Sequence, residues 1–179
     1  MATVRVISSL FLSLFFVVLK AANPVPVAEK GIHWLSFDEM QQAQKVKPKK
    51  VIIDIYTGWC GWCKKMDKTT FENPAVADYV NENFYAVKFD AESKSPVSFS
   101  GKKYENPNRY HDLAVMLMNG QMGFPTSVYL DEKLQPLTAP IASYLDAKQF
   151  ETIINYLNTE SYKTMPFDKY QEQFKSKAQ

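Results

Sequence analysis

The densest apolar stretch outside the N-terminus is 51–56 (VIIDIY), a nearly continuous run of β-branched side chains. Such a run marks a central strand covered on both faces. Asp54 interrupts it and is the first anomaly of the pattern. Upstream, 32–35 is a short apolar stretch suited to an edge strand, and Ser36 with Glu39 forms a capping-box pattern opening a helix that runs to about Val46. Pro48 and the lysines around it then break the chain. Downstream, 64–68 is helix-permissive. Asn73-Pro74 places an N-cap before a first-turn proline, followed by Val76, Ala77, Val80 and Phe84 at helical spacing.

Residues 85–90 read as another strand, and 92–107 as a long polar loop broken by Pro96, Gly101 and Pro107. A helix is predicted from Asn108, carrying Leu113, Ala114 and Leu117 and ended by Asn119-Gly120. Gly123-Phe124-Pro125 leads into a strand over 126–130, and Asp131-Glu132-Lys133 turns into a return strand over 137–142. Asp146 caps a last strong helix with Phe150, Ile153, Ile154 and Leu157 on one face. Phe167, Tyr170 and Phe174 predict a small tail helix packed on the domain. Early strands alternate with helices and late ones form a hairpin, which predicts an α/β sandwich around a mixed central sheet.

Composition fits one such domain: 179 residues, 46% hydrophobic, 22% charged and 14% aromatic, enough to build a core. The first 22 residues stand apart. Arg5 precedes an apolar run over 7–19, small residues follow at Ala21 and Ala22, and the segment from Asn23 to residue 31 reads as an extended linker. That order is expected of a secretory signal, and the run is short for a membrane span of ~20 residues. Leu19 and Lys20 fit a cleavage site poorly, which keeps an uncleaved N-terminal anchor as the alternative. Without Arg5 and Lys20 the 21 basic residues fall to 19, equal to the 19 acidic ones. The near-neutral remainder gives no support to a polyanion or nucleic-acid partner.

Cys60 and Cys63 are the only cysteines. In an exported protein they would meet oxidants, and any internal disulfide must join them. As a structural staple, so short a loop contributes only ~2 kcal/mol, which a domain with this much core does not need. A closed zinc site needs four ligands, and His33 and His111 are distant from each other and lack a second paired motif. Covalent haem would need histidine directly after Cys63, where Lys64 stands. A redox centre fits better. The pair follows a buried strand and opens a helix, so the helix dipole and nearby Lys64 and Lys65 favour a thiolate at Cys60. Cys63, one turn further in, lies beneath it, so Cys60 attacks and Cys63 resolves.

The segment from Asp54 through Trp59-Cys60-Gly61-Trp62-Cys63-Lys64 resembles the active-site segment of the thioredoxin family, and Gly123-Phe124-Pro125-Thr126 resembles its cis-proline loop. The likeness spans roughly 32–158, leaving 159–179 as a C-terminal helical extension. Within the superfamily the chain is similar to the C-terminal domain of the DsbD reductase, and closer still to small exported bacterial proteins of the Bacteroidetes type. The resemblance implies a thioredoxin-like three-layer sandwich. It makes Cys60 the nucleophile, Cys63 the resolving thiol and Asp54 a buried acid exchanging a proton with Cys63. It implies a cis bond at Pro125, with Phe124 offering its backbone to an extended substrate and Trp59 beside the thiols. Gly61-Trp62 stands where reducing thioredoxins have Gly-Pro, between the cysteines, where residues tune redox poise.

Lys88 resembles a lysine that pairs with the buried acid, but its register is displaced in this alignment and it is set aside. The resulting expectation is an exported, periplasmic thiol–disulfide oxidoreductase, monomeric and without cofactor or metal. It would reduce disulfide-bearing proteins and draw electrons from a membrane or soluble thiol donor. An oxidase or isomerase, or a redox-inert adaptor on the same fold, are the alternatives.

Overall fold

The computed structural model describes residues 31–178. The leader and most of the linker read from the sequence lie outside the described residues. The central sheet has four strands in the order β1, β3, β2, β6: β1 (Trp34–Leu35), β2 (Lys50–Tyr56), β3 (Phe84–Asp90) and β6 (Thr126–Leu130). β1 and β2 each pair with β3 in parallel, and β6 runs antiparallel to β2, so the sheet is mixed. Helices α1 (Phe37–Val46) and α4 (Asp112–Leu117) cover one face, against Val51, Ile53, Ile55, Val87, Phe89, Val128 and Leu130. Helices α2 (Gly61–Met66), α3 (Pro74–Asn83) and α5 (Ala147–Asn158) cover the other, against Ile52, Ala86 and Tyr129. This three-layer arrangement is the thioredoxin-like fold.

The local signals act as read. Ser36 and Glu39 close the capping box of α1, Asn73 accepts from the Ala75 and Val76 amides at the start of α3, and Asp146 with Gln149 forms a second box at α5. Each such cap is worth about 1 kcal/mol. Helix α2 does not stop at Met66 but widens into a π turn over Asp67–Phe71, which brings the Phe71 ring against Phe150 at 5.2 Å.

Three expectations are corrected. The polar stretch 92–107 carries an antiparallel hairpin, β4 (Val97–Phe99) and β5 (Lys102–Tyr104), because Ser100 and Gly101 turn the chain with positive φ and Phe99 inserts against Phe37. The return strand over 137–142 reduces to isolated bridges, Ser127 with Ile141 and Leu130 with Pro136. Pro136 and Pro140 have no N–H to give a ladder. Helix α4 begins at Asp112 rather than Asn108. Its N-cap is His111, a buried ring whose Nδ1 accepts from the Leu113 amide, with Nε2 3.2 Å from the Ser95 carbonyl. Beyond α5, the tail helix α6 (Phe167–Gln173) packs on Tyr156 through Phe167 and Tyr170, at 5.2 and 5.1 Å between ring centroids.

Candidate active site

β2 ends at Tyr56, and a turn closed by the Cys60 amide donating to the Thr57 carbonyl (3.1 Å) delivers Cys60 to the N-cap of α2. Its Sγ accepts from the Cys63 amide at 3.0 Å, so an amide left without a partner at the helix start is spent on sulfur. A disulfide joins Cys60 to Cys63, with Cα atoms 5.3 Å apart. Both residues are buried, at 4% and 2% exposure.

Around the buried sulfurs the surface is aromatic. Trp59 and Trp62 are 58% and 57% exposed. Trp59 stands edge-on to Phe124 at 5.9 Å, its Nε1 donates to Glu92 at 3.0 Å, and Arg109 lies over its ring. Trp62 leans on Tyr144 at 5.4 Å, and the Lys65 ammonium sits 4.8 and 5.0 Å from the two ring centroids. Gly61, between the cysteines, faces open space. The Phe124–Pro125 bond is cis, and Thr126 anchors that loop by donating to the Gly123 carbonyl at 2.6 Å. The fold thus brings Trp59, Trp62, Phe124 and the cysteines to one end of the sheet.

Asp54 lies below this surface. It shares the strand face of Ile52, the face covered by α2, and is 1% exposed. Neither of its oxygens has a well-formed hydrogen bond. Its cationic neighbour is Lys88, whose Nζ is 3.5 Å from Oδ2. The β2–β3 register sets Asp54 directly beside Lys88, so setting that lysine aside on alignment is corrected by the structure. Lys88 also pairs with Asp67, the first residue of the π turn, and its ammonium lies 5.2 Å from the centroids of Trp34 and Tyr56. Burial pushes the Asp54 carboxyl up to about 6, against the pull of Lys88 and with a further push from Asp67. Asp67 escaped the sequence reading altogether. Its signal was an acid one helical turn beyond Cys63, and Lys88's was the lone cation inside an apolar strand.

Among the described residues no group of three or more histidine, cysteine, aspartate or glutamate side chains is placed to hold a metal, and no helix is long and apolar enough to cross a membrane.

A family model, Thioredox_DsbH, described as "Protein of unknown function, DUF255", matches residues 22–179. The chain belongs to this family. Among curated relatives, the chain is similar to the uncharacterized protein B0495.5 of Caenorhabditis elegans, 30% identical over 74% of this chain and 18% of that protein. It is similar also to the thiol:disulfide interchange protein DsbD of Actinobacillus pleuropneumoniae, 27% identical over 69% of this chain and 20% of that protein. The chain therefore spans about a fifth of the length of these relatives. Among solved structures, a DsbH oxidoreductase matches with a TM-score of 0.52 at 17% identity, covering 77% of this chain and 92% of the other. A Bacteroides thetaiotaomicron protein solved in solution gives 0.52 at 26%, covering 74% and 96%. The thioredoxin-like fold of the chain and its sequence similarity to DsbD rest on these matches.

Proposed function

We propose that this Thioredox_DsbH protein is an exported thiol–disulfide oxidoreductase that works as a reductase of protein disulfides. The observation that carries the reading is a Cys60–Cys63 disulfide at a helix N-terminus above a buried, hydrogen-bond-poor carboxylate, Asp54. In the dithiol form the Cys60 thiolate attacks one sulfur of a substrate disulfide, forming a mixed disulfide and releasing the other substrate sulfur as a thiolate. Asp54 takes the proton of Cys63, whose thiolate attacks the Cys60 sulfur. The second substrate thiol leaves, and the Cys60–Cys63 disulfide is re-formed. The substrate has gained two electrons and the protein has lost two, so a thiol donor must recharge it.

The exposed Trp59 and Trp62 rings and the Phe124-Pro125 backbone are the surface on which an extended substrate segment would lie. Gly61, with open space at its Cα, leaves room for that segment beside Cys60. The reading of residues 1–22 as a leader supports export to an oxidising compartment such as the periplasm, where the substrate disulfides would persist.

The test is insulin reduction with dithiothreitol as donor, together with trapping by Cys63→Ala. Turnover above the Cys60→Ala background, and covalent mixed disulfides on Cys60 in the trapping variant, are expected. Turnover no greater than that background would instead leave a redox-inert adaptor domain.

A further inference from the structure

Strand β6 is buried along its whole length, Thr126–Leu130, yet two of its side chains are hydroxylated on the face that carries Asp54. Val128 and Leu130 join the apolar layer beneath α1 and α4, while Tyr129 packs beneath α5 with its ring 6.4 Å from Phe150. Ser127 has the parity of Tyr129. In the β2–β6 register Ser127 stands directly opposite Asp54, and Tyr129 opposite Ile52, which makes Tyr129 the diagonal neighbour of Asp54 on the same face. Opposite residues have Cβ atoms roughly 5 Å apart and diagonal ones roughly 7–8 Å, distances that a serine after a χ1 rotation and a tyrosine can span to a carboxylate.

Ser127 and Tyr129 are fully buried, and neither hydroxyl makes a well-formed hydrogen bond, although Ser127 lies close enough to the Tyr129 phenol to favour its ionised form; the oxygens of Asp54 likewise make no well-formed hydrogen bond. Buried polar groups without partners are costly, and alanine and phenylalanine would fill the same space without that cost. The inventory is complementary: two hydroxyls can donate, and an ionised carboxylate can only accept. The phenol cannot serve as an acid here, since burial pushes its pKa up, the Ser127 hydroxyl offsets this only in part, and the Asp54 charge adds a further push.

We propose that Ser127 and Tyr129 are positioning residues for Asp54, their hydroxyls donating to the ionised carboxylate as it exchanges a proton with Cys63. The proposal rests on the redox reading above for the proton exchange, and on the β6 register for the contact. The other groups facing Asp54 are Lys88 from β3, Asp67 at the end of α2, and Tyr56 on its own strand. Lys88 is shared with Asp67, so it is not a dedicated partner and leaves acceptor capacity on Asp54 for the hydroxyls.

The measurement is the titration midpoint of Asp54 in the full disulfide-form chain, followed through the carboxyl carbon by NMR. Donors to the ionised form hold a carboxyl's pKa down. Ser127→Ala and Tyr129→Phe are each expected to raise the midpoint by about half a unit to one unit, roughly a threefold to tenfold gain in proton affinity. Ser127→Thr keeps a hydroxyl and should keep the wild-type midpoint, and Val128→Ala, on the opposite face, should lower Tm without moving it. The pH limb of mixed-disulfide resolution should move with the midpoint. Midpoints unchanged in both Ser127→Ala and Tyr129→Phe overturn the proposal, and if Tyr129→Phe does not fold, Ser127→Ala against Ser127→Thr decides alone. Because the midpoint is read without turnover, failure to reduce insulin would count against the redox reading and leave this result standing.

Discussion

The two faces of the central sheet are drawn from the same strands and differ in chemistry. Toward α1 and α4, β2 presents Val51, Ile53 and Ile55, β3 presents Val87 and Phe89, and β6 presents Val128 and Leu130. Toward α2, α3 and α5 the alternate positions bring Ile52 and Ala86 but also Asp54, Lys88, Ser127 and Tyr129. The first face is what a stable α/β domain requires. The second places an acid, a cation and a serine hydroxyl side by side, with the Tyr129 phenol one pair further along beneath α5, at a cost the first face does not bear. Asp54, Lys88 and Ser127 at one level of three adjacent strands point to chemistry, not to loose packing.

The largest effect expected is on activity. Cys60→Ala should reduce disulfide reduction to the uncatalysed background in the insulin assay, while Ile53→Ala, on the apolar face, should leave the chemistry of the folded protein intact. Ile53→Ala should instead cost stability, about 2–5 kcal/mol in urea unfolding, since Ile53 is fully buried.

Asp54→Asn should have the opposite sign. Burial pushes the folded Asp54 carboxyl up to about 6, above its ordinary 3.8, so its ionised form opposes folding. The stability associated with the protonated form is complete below the unfolded value and is lost as pH rises through about 6. Asp54→Asn should therefore stabilise the protein at pH 7 by up to ~3 kcal/mol, with the gain fading to nothing as pH falls below 3.8. The same substitution should slow resolution of the mixed disulfide more than the initial attack, measured by single-turnover kinetics. A loss of stability at pH 7 would break the contrast between the faces.

Lys88→Met removes the cation beside Asp54 and should raise its titration midpoint above 6, read by the same carboxyl NMR signal. The smallest effect belongs to the surface. Trp62→Ala should change stability by about half a kcal/mol or less, because the ring is mostly exposed. It should lower kcat/KM for a protein disulfide several-fold relative to a small-molecule disulfide, sharpening the assignment of that rim to substrate.

Much of this was legible in the chain. The capping pair Ser36 with Glu39, the Asp146 cap, the buried run around Ile53 and the Cys60–Cys63 spacing are signals contained within a few residues, and their physics is local. Asp54 was legible for the same reason, as a charge inside an apolar run. The hairpin of β4 and β5 was not, because its strands are short and polar and are organised by Phe99 packing on a helix far away in sequence. The return strand failed because proline removed the donors that periodicity alone does not count.

By itself, then, the sequence determined most of the elements, the cysteine pair at a helix start and the anomalous acid before it, since periodicity, caps and spacing act over one or two turns of chain. Only the tertiary structure decided which distant groups meet that acid. Lys88 reaches it through the parallel register with β3, and Ser127 and Tyr129 share its face through the antiparallel register with β6. Register depends on how segments distant in sequence pack together. A slip of one residue would turn each of those side chains to the opposite face.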